Sequence, residues 1–331
     1  MGLAKRWGQV GVDAGRDWFT APAPLGRIAA FRTLLYLYIV LDLLVITPDV
    51  AKRGTASGGL YQPVYIAEFL HLPTPNKPLV TFLFWALLVL APLAATGRAP
   101  RLLGFTVFAF YLEWMFIYMS YGKVDHGRGA VLVALAVLPF IGRARHGDKT
   151  LSEAAGWALR STQIVVVLTY FLAAWSKIMT TGLASWANSA VYTKAVLRRG
   201  TIFSVWALKV SGLLIFAQWG TMIMELCSPV VFFVKQRLRY LIVAGFYSFH
   251  VIVFMGTTIG FFLHLAAMAS FLPLEKVRPV RAGYWCVGRA TGRSTDRVAA
   301  AVGRRLDKVV PGRKSAATDK PEEPELSDAR V

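Results

Sequence analysis

Residues 161–179 read Ser-Thr-Gln-Ile-Val-Val-Val-Leu-Thr-Tyr170-Phe-Leu-Ala-Ala-Trp-Ser-Lys177-Ile-Met, a run in which Lys177 is the single charge. At 1.5 Å per residue, an apolar helix needs about 20 residues to cross a hydrocarbon layer of about 30 Å. Extended back to Trp157, the run meets that length and is expected to span a membrane. The same rule applied outward places spans near 28–48, 78–97, 101–121, 128–142, 205–234, 238–256 and 258–274. The expected fold class is therefore all-α: an integral membrane bundle of about eight transmembrane spans with interfacial amphipathic helices. The fourth span is short and the sixth long. Residues 256–260, Gly-Thr-Thr-Ile-Gly, read either as a tight turn between two helices or as a kink in one.

Composition agrees. The chain has 331 residues, 56% hydrophobic and 17% charged, with a mean hydropathy of +0.50. A soluble domain has about 45 to 50% apolar and about 25% charged residues, so soluble, disordered, collagen-like and disulfide-scaffold classes fall away. A net charge of +19 would suggest nucleic acid in a soluble chain. Here the basic residues lie between and beyond apolar blocks, without a recognition motif, and no nucleic-acid partner is expected. Cys227 and Cys286 are too few and too far apart for a disulfide framework.

Four regions follow. Residues 1–26 form an amphipathic interfacial segment, with Leu3, Trp7, Val10, Ala14 and Trp18 opposite Lys5, Arg6, Gln9, Asp13 and Arg16; a helix lying on the membrane is expected over 1–21. Residues 27–274 are the transmembrane domain. Residues 275–314 form a basic juxtamembrane tail in which Val298, Val302, Leu306 and Val309 mark a surface helix drawn to anionic lipid, and 315–331 is an acidic, disordered end. Two interfacial pieces, 58–76 and 182–200, are expected on the face opposite the termini. The excess of Lys and Arg on the side of the termini places both in the cytoplasm. Ala-, Arg-, Val- and Gly-rich usage fits a bacterial plasma membrane.

Ionisable groups inside spans are costly, at about 2.5 to 3.5 kcal/mol each, and so mark candidate sites. They are Arg32, Asp42, Glu113, Lys177, Lys209, Glu225, His250 and His264. Arg32 and Lys209 sit near span ends and can snorkel. Lys177, desolvated near the end of its helix and ahead of Trp186, can become a neutral amine and serve as a general base; alternatively it snorkels beside its tryptophan. Asp125 and His126, in the polar link after the third span, read either as a proton relay or as a loop with an Asp125 cap. Glu225 can pair with a neighbouring Lys or His. His250 and His264, fourteen residues apart, share a face only if the glycine segment leaves the helix unbroken. No His or Cys spacing matches a metal site, so no metal is expected.

Phe31-Arg32, the Asp125-His126 loop, Tyr170-Phe-Leu-Ala-Ala-Trp-Ser-Lys177 with the later Trp186, and Phe249-His250 ahead of Phe261-Phe-Leu-His264 occur in an order that resembles HTTM proteins, the membrane module shared with vitamin K-dependent gamma-carboxylase. The resemblance covers about 27–274. It implies that Lys177 deprotonates a reduced quinone such as menaquinone or a vitamin K-like hydroquinone, and that His126 assists its oxygenation. Arg32, Asp125, Trp186, Glu225, His250 and His264 are expected as the groups that line the substrate pocket. Two positions depart: Asp125 stands where the carboxylase has an amide, and Ser176 replaces a second lysine. Nothing after residue 274 resembles the large domain that helps bind the carboxylase's substrate, so peptide carboxylation is not implied. The leading expectation is a membrane enzyme acting on a lipid-soluble hydroquinone or related lipid. The competing one is a non-catalytic membrane partner, an immunity or maturation factor for another membrane protein. A transporter would show repeated broken helices in two halves, and only the 256–260 break is visible.

Overall fold

The computed structural model describes residues 13–122 and 124–277, with Leu183 and Ala184 described by their backbone alone. Three quarters of the described residues are helical and 2% are in strands, so the fold is all-α. Among the described residues a single two-residue pairing, Ala23–Pro24 antiparallel to Leu151–Ser152, joins the start of the bundle to its middle. Nine helices carry the argument. They are α1 (Leu25–Leu41, continued by a π turn over Asp42–Ile46), α2 (Lys77–Ala95), α3 (Pro100–Met119), α4 (Gly129–Ile141), α5 (Glu153–Thr181), α6 (Ala190–Arg199), α7 (Leu213–Leu226), α8 (Gln236–Thr257) and α9 (Phe262–Met268).

Local chemistry sets several of the ends. Asn76 caps α2 by accepting from the Leu79 amide at 2.9 Å, and Ser152 caps α5 by accepting from the Ala155 amide. Pro100 occupies the first position of α3, where its missing N–H costs nothing. Consecutive helices α1 to α5 pack as antiparallel neighbours, and α9 folds back onto α1, α4 and α5. At Gly104 of α3 a Cβ would lie 2.7 Å from Pro139 of α4, so the bare backbone is what permits that close crossing. Trp114, Tyr36, Tyr111 and Phe31 fill the centre.

Among the described residues, five helices are long and apolar enough to cross a membrane: Leu25–Ile46, α2, α3, α5 and α8. The other three expected spans are shorter helices. The α4 helix has 13 residues, about 20 Å of rise. The segment expected as one helix over 205–234 is divided. A short helix over Ile202–Ala207 ends ahead of Gly212, whose φ of 77° begins α7, and a 3₁₀ turn over Ser228–Phe232 follows, with Pro229 in its first turn. At 256–260 the turn alternative holds. The chain breaks at Thr258, with a φ of 57°, and α9 starts anew. Of the expected interfacial pieces, 58–76 contains only a 3₁₀ turn and a short helix, and 182–200 contains the helix Leu183–Trp186 and α6.

Residues 13–19 are helical, and Trp18 packs edge-on against Phe232 at 5.4 Å with the Arg160 guanidinium 4.9 Å over its ring. The rest of the N-terminal amphipathic segment, the surface helix with Val298 and the acidic end lie outside the described residues.

Candidate functional site

Lys177 and Glu225 come from helices that pack together, α5 and α7. Their side chains form an ion pair, Nζ to Oε2 at 2.5 Å, with the ammonium 4.5 Å over the Trp186 ring. Glu225 is 8% exposed and Lys177 24%, so the carboxylate is the more enclosed member of the pair. The short helix carrying Trp186 is held in place by α7: Gln218 Nε2 donates to the Trp186 carbonyl at 2.8 Å. Tyr192 of α6 shares a 2.5 Å hydrogen bond with Thr221 and meets Trp186 edge-on. Gln218, Thr221 and Glu225 are spaced three and four apart, which puts all three on one buried face of α7. That spacing was readable in the sequence, yet Gln218 and Thr221 were missed because uncharged polar groups carry no insertion penalty large enough to stand out.

Two turns before Lys177 on α5, the Tyr170 hydroxyl lies 2.6 Å from His250 Nε2. Its ring packs edge-on against His264 at 4.8 Å, and the two imidazoles are 5.5 Å apart. The histidines therefore meet because the chain turns back at Thr258, not because one helix carries both. Among the described residues, His250 Nδ1 has no hydrogen-bond partner and His264 has only a backbone contact at Gly127, although both residues are buried. Glu225 is within electrostatic range of Tyr170, which links this trio to the Lys177 pair.

His264 also borders a crevice of about 20 Å³ lined by Asp125, Gly127, Arg128 and Phe261. That volume holds one water molecule. Asp125 accepts from the Gly127 amide and from Arg128 Nε, both at 3.1 Å, so it caps its own turn as the plainer reading of the loop expects. His126 is exposed and lies within electrostatic range of His264.

Arg128 is buried and contacts Asp42 at 3.2 Å. Asp42 accepts two further bonds, from the Tyr111 and Thr47 hydroxyls at 3.0 and 3.1 Å, and Trp114 Nε1 donates to Thr47 at 3.1 Å. Arg32 stands apart from the other candidates. Its Nη2 donates to the Ala144 carbonyl in the link before α5, and it lies against Gly97. Lys177 sits about 36 Å of helix further along α5 from that link. The structure thus joins Lys177, Glu225 and Trp186, joins His250 with His264 beside Asp125, and leaves Arg32 at the other end.

Among the described residues, no group of three His, Cys, Asp or Glu is placed to hold a metal ion. The residues around Lys177 fit a quinol headgroup in three respects: a partly open amine, an aromatic wall at Trp186, and the Gln218 Oε1 acceptor, buried and without a donor. Compared with protein-family models, curated proteins and solved structures, the sequence matches none of them.

Proposed function

We propose that the chain is a bacterial plasma-membrane protein of the HTTM kind, with both termini cytoplasmic, acting on a lipid-soluble hydroquinone or related lipid through Lys177. Membrane insertion is supported by α8, whose apolar 18-residue window is only 17% buried within the protein, so most of its apolar surface needs an apolar solvent. The observation that carries the enzymatic reading is the Lys177–Glu225 pair, whose carboxylate is buried while its lysine side chain is partly exposed.

That geometry suits stepwise proton transfer. One proton passes from the Lys177 ammonium to Glu225, leaving a neutral amine beside a neutral acid. The amine then takes the proton of a substrate hydroxyl held against Trp186, and the resulting oxyanion sits next to an ammonium. Low polarity around Glu225 favours the neutral pair over separated charges. A bound reduced quinone would supply the acidic hydroxyl and the oxidisable ring.

The test is mass spectrometry of quinone epoxide after purified protein in lipid receives reduced menaquinone and oxygen. Wild type should form epoxide, and folded Lys177→Met should not. Absence of epoxide from folded wild-type protein overturns the reading. A second reading, a non-catalytic membrane partner, is favoured by the same short ion pair taken as a clasp between α5 and α7. It expects Lys177→Met to retain biological activity in proportion to its remaining stability.

A further inference from the structure

We propose that α6 and the helix Ile202–Ala207 together form a docking surface for anionic glycerophospholipid headgroups. The inference rests on the reading that the chain spans a membrane.

The two helices are fixed to the end of α8. The Thr201 amide donates to the Gly256 carbonyl at 3.4 Å, its hydroxyl donates to the Met255 carbonyl, and Thr201 and Ser204 close a capping box at the start of the second helix. Their inner side is packed, with Val196 and Ser204 buried and Tyr192 bonded to Thr221. Their outer side presents bulky apolar groups: Ile202 is 91% exposed, Leu197 72%, Phe203 66% and Trp206 61%. In water this surface would be costly. At the end of a membrane helix, where α8 stops, it matches the boundary between acyl chains and headgroups, the layer in which Trp and bulky aliphatic groups are favoured.

Charge selects the headgroup. Lys194, Arg198, Arg199 and Lys209 are exposed beside these apolar groups, and among the described residues none of them forms an ion pair. Between Gly182 and Glu225 the sequence contains no Asp or Glu. Four unopposed cations next to an embedded apolar face attract phosphodiester lipids carrying net negative charge over zwitterionic ones, and salt weakens the attraction. A soluble polyanion would satisfy the cations but leave Ile202, Phe203 and Trp206 in water.

The test reconstitutes the full chain in phosphatidylcholine bilayers containing spin-labelled phosphatidylglycerol or spin-labelled phosphatidylcholine and measures the immobilised fraction of each by electron paramagnetic resonance. Wild type is expected to prefer phosphatidylglycerol by roughly threefold or more at low salt. The variant Lys194→Gln/Arg198→Gln/Arg199→Gln/Lys209→Gln, altered only at exposed positions, should lose at least half of that preference while the tail retains its own share. The fluorescence difference between wild type and Trp206→Phe should be quenched by brominated acyl chains. An unchanged preference in the four-site variant, or a Trp206 signal untouched by brominated lipid, overturns the proposal. Alkaline carbonate extraction separates the two levels. Release from the membrane defeats the membrane reading itself, whereas retention with unchanged lipid preference defeats only the docking surface.

Discussion

Asp42 and Glu225 are both carboxylates carried by apolar helices, and their surroundings differ in completeness. Asp42 is fully enclosed, and Arg128, Tyr111 and Thr47 all reach its oxygens. Among the described residues, Glu225 is bonded to Lys177 alone, and that lysine is partly exposed. A carboxylate whose bonds are all supplied by its own chain has no capacity left for a ligand, so the Asp42 knot serves structure. A carboxylate with one mobile partner and an open approach can exchange that partner's proton with something bound. The same contrast separates His250, bonded to the Tyr170 hydroxyl, from His264, whose contact is with the Gly127 backbone.

Four predictions about stability test that contrast, in order of decreasing size. Arg128→Met leaves Asp42 buried without its counter-ion and should cost about 3–5 kcal/mol in detergent or denaturant unfolding. Adding Asp42→Asn should recover much of the loss. A tolerated Arg128→Met would show that the knot is not closed and would erase the distinction. Lys177→Met should cost less, about 1–3 kcal/mol, because Glu225 can be neutralised by taking up a proton. A loss equal to that of Arg128→Met would make the Lys177 pair a clasp rather than a site.

Tyr170→Phe removes the hydroxyl's bonds to His250 and to the Met268 sulfur and should cost about 1 kcal/mol by the same measurement. His264→Phe should cost less than that, since only a backbone contact at Gly127 is lost. If it instead destabilises strongly, His264 has a further partner in the folded protein, and the incomplete side of the comparison shrinks.

The end carrying Arg32 offers a pH control. Burial, and then the Arg32 charge, lower the His146 pKa from 6.5 to about 4. The unfolded chain thus takes up a proton at higher pH than the folded one. This contribution is intact above pH 6.5 and is lost as pH falls from about 6.5 towards 4. The His146→Gln variant should show a flatter pH dependence of unfolding over that window. The effect should be small, because the ring is only half-buried and partly screened by water.

Much of the bundle was legible because hydropathy is a local property. The long apolar runs coincide with α1, α2, α3, α5 and α8 to within a few residues. The long stretch over 205–234 misled because its apolar content is continuous while its backbone is not. Gly212 takes a left-handed conformation, Pro229 opens a 3₁₀ turn, and the part before Gly212 packs on the end of α8 instead of entering a span. At the second break the glycines gave the correct region but not the residue. The left-handed position is Thr258, a β-branched residue that pays for that conformation and is held there by the turn it terminates. The Arg128–Asp42 contact is not legible for a different reason: the neighbours of Arg128 in sequence form a polar link, while its guanidinium reaches inward to Asp42, 86 residues away.

The sequence by itself determined an all-helical chain, the positions of its long apolar helices, and the small set of charges that those helices cannot bury without compensation. Each follows from summing side-chain transfer costs along a single helix. Only the tertiary structure decided how those polar groups are compensated: Lys177 by Glu225, Arg128 by Asp42, Arg32 by the backbone of a distant link, and His264 by a backbone contact at Gly127. The pairing depends on which helices are neighbours, how each is rotated about its axis and where the chain turns back, and none of these is a sum over one segment.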